Sequence, residues 1–165
     1  GGELATRLSA DLALTVALVG LALRLAPSGE RSSAARLLWT VAVGLYLLHV
    51  AAAFHFVHGW SHAHALQHTA ARTEAVFGIA TGVGLWVNYA FTAAWLIDVA
   101  NWWCLPAQSC HRWRNLIRAL WLAAFVFITV NATVVFETGL TRWYFSGVFL
   151  AATAFVIASH VRTRQ

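Results

Sequence analysis

Five of the eight histidines in this chain fall in one stretch of fourteen residues, HFVHGWSHAHALQH, at positions 55–68. They are His55, His58, His62, His64 and His68. His49 lies just upstream, and His111 and His160 are far away in sequence. Neutral imidazole is the commonest side-chain metal ligand, and it suits zinc, copper, iron and nickel. Imidazoles set among apolar residues also carry a solvation problem, because an unpaired polar group in hydrocarbon costs several kcal/mol. A metal satisfies one nitrogen of each ring, and a neighbouring acceptor can serve the other. The chemistry expected is therefore ligation of a transition metal (copper, iron or zinc, which the residue types do not distinguish).

Spacing refines this expectation. On an uninterrupted helix at about 100° per residue, His58 and His62 fall within about 60° of His55, so the three share one face. His64 and His68 are four apart and share a second face. A bend at Gly59–Ser61 would fold that face back over the first. Glu74 and Glu137 are the acid/base candidates beside such a site. His49 falls about 120° from the His55 face and is the candidate for binding a cofactor within the bundle. Haem is the weaker expectation: it takes axial groups from two helices at one depth, and His49 and His160 lie at different depths.

The elements that carry these residues must suit lipid. Hydrophobic residues make up 60% of the 165 and charged residues only 10%, whereas a soluble domain carries about 25% charged. This chain cannot cover a water-facing surface. Five segments have the length of about 20 residues that a membrane span needs. They run from about Asp11 to Pro27, Ala35 to Trp60, Phe77 to Leu105, Asn115 to Thr138 and Thr141 to Val161. The fold expected is all-α, a single transmembrane domain over residues 1–165 with about five spans and a histidine-rich extracytoplasmic segment at about 55–74. The link SHAHALQHTAARTEAV is polar yet rich in helix formers, so it reads as a helix at the membrane surface or as a continuation of the second span.

All eleven basic residues are arginine. Eight of them (Arg24, Arg31, Arg36, Arg112, Arg114, Arg118, Arg162 and Arg164) fall on one side of this layout. Arg7, Arg72 and Arg142 fall on the other. The positive-inside rule then puts the N-terminus outside and the C-terminus in the cytoplasm of a bacterial-type inner membrane. Trp39, Trp102, Trp103 and Trp113 are expected at the inner interface, and Trp60 and Trp143 at the outer one. Cys104 and Cys110 would lie in the cytoplasm and stay reduced. Asp98, inside the third span, calls for a partner such as Arg24 or Arg36. The spread of the arginines along segment ends excludes nucleic acid as the partner that the high pI would otherwise suggest.

No phosphate-binding loop, dinucleotide fingerprint, HExxH or CxxC pair is present. The leading function expected is a membrane metalloprotein with oxidoreductase chemistry on a lipophilic or small substrate at the periplasmic face. The rivals are metal uptake, delivery or transport, and an accessory subunit of a larger membrane complex binding haem or pigment. The partners expected are the bilayer, a metal ion, and other membrane subunits or further copies of the chain.

Overall fold

The computed structural model describes residues 1–27, 29, 32–104 and 112–163, with 112–115 as backbone only. Arg31, Cys110, His111 and Arg164, and the side chains of Arg112, Trp113 and Arg114, lie outside the described residues. Among the described residues six α-helices come in order: α1 Gly2–Leu25, α2 Ser33–Ala52, α3 His62–Phe77, α4 Val83–Cys104, α5 Arg112–Val130 and α6 Gly139–Arg162. Two of them end in a π-helical turn, α2 through Ala53–Val57 and α5 through Asn131–Val135. No strand occurs among the described residues.

Every helix except α3 is long and apolar enough to cross a membrane, so the chain is a five-span, all-α membrane protein. Its lipid-facing surface is what such a chain requires: Leu48, Phe127, Leu150 and Ile157 are all more than half exposed, where hydrocarbon rather than water is the solvent. The short, polar α3 is a separate helix. Gly59 and Trp60 both take left-handed φ values, 55° and 59°, and break the chain between α2 and α3. Ser61 then caps α3, its hydroxyl accepting from the His64 amide at 3.2 Å.

Two boundaries differ from the sequence expectation. The first span begins at Gly2 rather than near Asp11, because Glu3, Arg7 and Asp11 recur every four residues and form one polar stripe on a continuous helix. The third span begins at Val83 rather than Phe77. Gly78, at φ 72°, closes α3 with its amide bonded to the Glu74 carbonyl, a left-handed cap that glycine adopts without strain.

α1 and α2 form the most extensive packed pair. Ala13, Ala17 and Gly20 on one side and Ala35 and Ala42 on the other are buried small residues, which let two backbones approach in lipid. A Cβ at Gly20 would sit 3.2 Å from the Trp39 amide nitrogen. Beside this seam lies an aromatic core. The fully buried Trp39 of α2 packs on Trp95 of α4 at 5.2 Å and Phe125 of α5 at 4.8 Å between ring centres. Trp39 is thus a core residue of the bundle.

Within the same layer Arg24 of α1 meets Asp98 of α4. Its two terminal nitrogens lie 2.5 and 3.1 Å from the two carboxylate oxygens, and the Trp39 indole donates to Asp98 at 2.8 Å. Arg24 also stacks over the Trp102 ring at 4.1 Å. This end of the bundle collects the end of α1 and the start of α2. The opposite end, the histidine end, collects the start of α1, the end of α2, all of α3 and the end of α5.

Candidate functional site

The π-helical end of α2 and the break beyond it decide where the histidines go. The His58 amide bonds to the Ala53 carbonyl at 3.1 Å, the Trp60 amide reaches back to Phe54 at 2.8 Å, and Ser61 bonds to His58 at 2.9 Å. The chain therefore turns sharply, and α3 packs beside His58 rather than continuing α2. His64 and His68, one turn apart on α3, both face His58. Ring centres lie 5.7 Å apart for His58 and His64 and 5.2 Å for His58 and His68.

His58 is half-buried against Phe54, and its Nδ1 is buried with no hydrogen-bond partner among the described residues. Its imidazole is held below the usual histidine range. Loss of hydration is the larger cause, and the neighbouring His68 and His64 add to it. A ring in this state stays neutral and keeps a lone pair free, which is the form that ligates metal.

The other two expected ligands point elsewhere. His55 is exposed, and its Nδ1 accepts from the Trp60 indole at 3.3 Å. His62 contacts α4: its Nδ1 lies 3.1 Å from the Tyr89 hydroxyl, and its ring lies nearly parallel to that of Tyr89. So of His55, His58 and His62, only His58 belongs to the group that converges, and His64 and His68 complete it.

Glu74 is exposed on α3, six residues beyond His68, or about 9 Å further along the helix axis. Glu137 lies just beyond the π-helical end of α5 and is taken up by two arginines, Arg7 at 3.6 Å and Arg72 at 3.4 Å. It ties α1 and α3 to the end of α5. The structure brings neither carboxylate to the three histidines. His49 lies inside the bundle, with Nδ1 2.9 Å from the Thr6 carbonyl and 3.4 Å from the Ser9 hydroxyl.

The fit to a metal has two sides. Among the described residues no group of three or more His, Cys, Asp or Glu side chains meets in an arrangement ready to hold an ion. The donor set is nonetheless suitable. Two imidazoles on one tetrahedral ion, each bonded at about 2.0–2.1 Å, place their ring centres about 5 Å apart, close to the spacing of His58 and His68. The terminal torsion of histidine is broad, so the rings are free to turn toward one another.

A second group does not stand out from the histidine pattern. Arg7, Asp11, His49 and Glu137 line one cavity at the histidine end. The sequence signal for it is the four-residue recurrence of charge in α1, in a stretch whose charges argue against a span. Comparisons with protein-family models, curated proteins and solved structures returned no match.

Proposed function

We propose that this chain is a multi-pass membrane protein that binds a transition metal ion through His58, His64 and His68 at the histidine end. The observation that carries this reading is the buried, partnerless Nδ1 of His58 beside two further imidazoles. An unpaired buried nitrogen calls for an explanation, and an ion supplies one. The arginine bias along the chain favours placing this end outside the cytoplasm of a bacterial-type inner membrane.

Three imidazoles leave a coordination position open. His64 and His68 are exposed, and neither Glu74 nor Glu137 stands beside them. These features favour capture and hand-off of an ion over acid/base catalysis at that point. The open position favours a second reading, in which a redox-active ion performs oxidoreductase chemistry on a small or lipophilic substrate.

Elemental analysis of untagged protein purified from membranes tests the proposal. Stoichiometric metal is expected in the wild type and in His62→Gln, whose ring contacts α4 and not the three histidines. It is expected to be lost in His58→Gln/His64→Gln/His68→Gln. Metal-free wild type that takes up none of zinc, copper or iron, or equal loss in both variants, would refute it. Oxygen consumption by the loaded protein separates the second reading from the first.

A further inference from the structure

The cavity at the histidine end has a volume of about 440 Å³ and is walled by α1, α2, α4 and α5, with Thr141 of α6 at its margin. Two carboxylates, Asp11 and Glu137, and one guanidinium, Arg7, line it, with Arg7 and Asp11 one turn apart on α1. With His49 neutral, the lining itself carries one net negative charge, which Arg72, reaching Glu137 from α3, offsets. Glu137 is already engaged by Arg7 and by Arg72. The Asp11 carboxylate receives no hydrogen bond and no ion pair within 4 Å from any described residue, so it is the carboxylate left open to a ligand.

The remaining polar wall mostly accepts. Thr6, Thr129 and Thr133 each donate their only hydroxyl hydrogen to a carbonyl of the preceding turn, at 3.0, 2.8 and 2.7 Å. Their oxygens can then only accept. The His49 Nδ1 bonds to the Thr6 carbonyl, which cannot donate, so Nδ1 carries the hydrogen and Nε2 of the neutral ring is an acceptor as well. The donors on the wall are Arg7, turned to Glu137, with the Asn88 amide and the hydroxyls of Tyr46 and Thr141. The rest is apolar or aromatic, including Leu8, Leu14 and Phe91.

We propose that this cavity binds an amphipathic organic monocation, a primary ammonium on an apolar body, with the ammonium at Asp11. An ammonium brings three donors and no acceptor, the complement of this wall. Aromatic faces favour a cation. A volume in the range of small-molecule pockets, about 300–1,000 Å³, leaves room for a carbon body that a bare ion would not fill. The proposal uses residues separate from the three histidines and stands without the metal site.

The probes are phenethylamine, charged at neutral pH, its neutral analogue phenethyl alcohol and its trimethylammonium analogue. Binding to the full chain in phospholipid nanodiscs is read by saturation-transfer NMR, with empty nanodiscs subtracted. Phenethylamine is expected to bind saturably, with the alcohol and the trimethylated analogue at least about tenfold weaker, as for loss of a charge-assisted hydrogen bond. Asp11→Asn is expected to weaken the amine by a similar factor. The wild-type probe series stands on its own if that variant does not fold. The proposal is overturned if the amine shows no saturable binding up to about 10 mM. It is also overturned if the alcohol or the trimethylated analogue binds as well as the amine, or if folded Asp11→Asn binds it unchanged.

Discussion

Replacing Arg24 with methionine tests whether the intramembrane ion pair holds the bundle together. Methionine keeps the length and apolar body of the arginine stem and removes the cation. The Asp98 carboxylate accepts three hydrogen bonds, two from Arg24 and one from Trp39, and the Arg24 and Asp98 side chains are only 3% and 13% exposed. The variant deletes two of the three bonds and leaves a buried carboxylate facing only an indole N–H. Neutral hydrogen bonds between membrane helices average about 0.6 kcal/mol, because the freed groups find other partners. Here Trp39 is the one remaining partner of Asp98 among the described residues, so the larger figure for breaking a buried ion pair applies, about 3–5 kcal/mol. That is a large share of the roughly 5–15 kcal/mol by which folded proteins are stable. Unfolding by denaturing detergent, monitored by the fluorescence of the nine tryptophans, measures the loss. Adding Asp98→Leu removes the orphaned charge and is expected to restore most of the stability, since replacing both members of a buried pair by apolar groups is often neutral. A single variant within about 0.5 kcal/mol of wild type, or a double variant no better than the single, would refute the reasoning.

Three further outcomes concern the histidine end. Gly59→Ala adds a Cβ that meets nothing within 4 Å, so its cost comes from the backbone at φ 55° alone; a loss of about 1–2 kcal/mol is expected in the unfolding assay, together with weaker metal uptake as α3 swings from His58. Glu137→Gln loses two ion pairs whose arginines are 72% and 51% exposed, so it is expected to cost no more than about 1 kcal/mol, while hydrogen exchange at the start of α1 and the end of α5 speeds up. In metal-free protein, NMR titration should show His58 protonating at lower pH than the free-histidine value of 6.5. Its neutral ring belongs to the folded state, so its contribution to stability is present above that value and is lost as pH falls through the lower folded one.

Composition and segment length make the five spans legible, because lipid admits few alternatives to long apolar helices. Pairing of Asp98 with an arginine is legible for a related reason: a lone charge in hydrocarbon must find an opposite one. The start of the first span is not. Glu3, Arg7 and Asp11 resemble sequence outside the bilayer, yet they lie on one continuous helix, and Arg7 and Asp11 line a cavity where polar groups can be accommodated inside a bundle. Nor is the burial of Trp39 between the helices legible, because the buried acceptor of its indole N–H, Asp98, comes from a distant part of the sequence.

The histidines show where helical periodicity stops being a guide. A wheel at a constant angle joins His55, His58 and His62. The structure separates them because the end of α2 is π-helical and each such turn holds an extra residue. That one residue swings the next stretch of chain by about 100° relative to an uninterrupted helix. Gly59 then turns the chain, and so does Trp60, whose left-handed backbone nothing in its residue type announces. The Trp60 side chain bears on that conformation through its indole bond to His55. His55 thus accepts a bond from the turn that brings His64 and His68 to His58, alongside the backbone bonds that close it. Trp60→Ala is accordingly expected to weaken metal uptake without touching a ligand, whereas Trp60→Gly, which relieves the left-handed backbone while losing the same indole, weakens it less. Equal uptake by wild type and both variants would show that this bond does not matter.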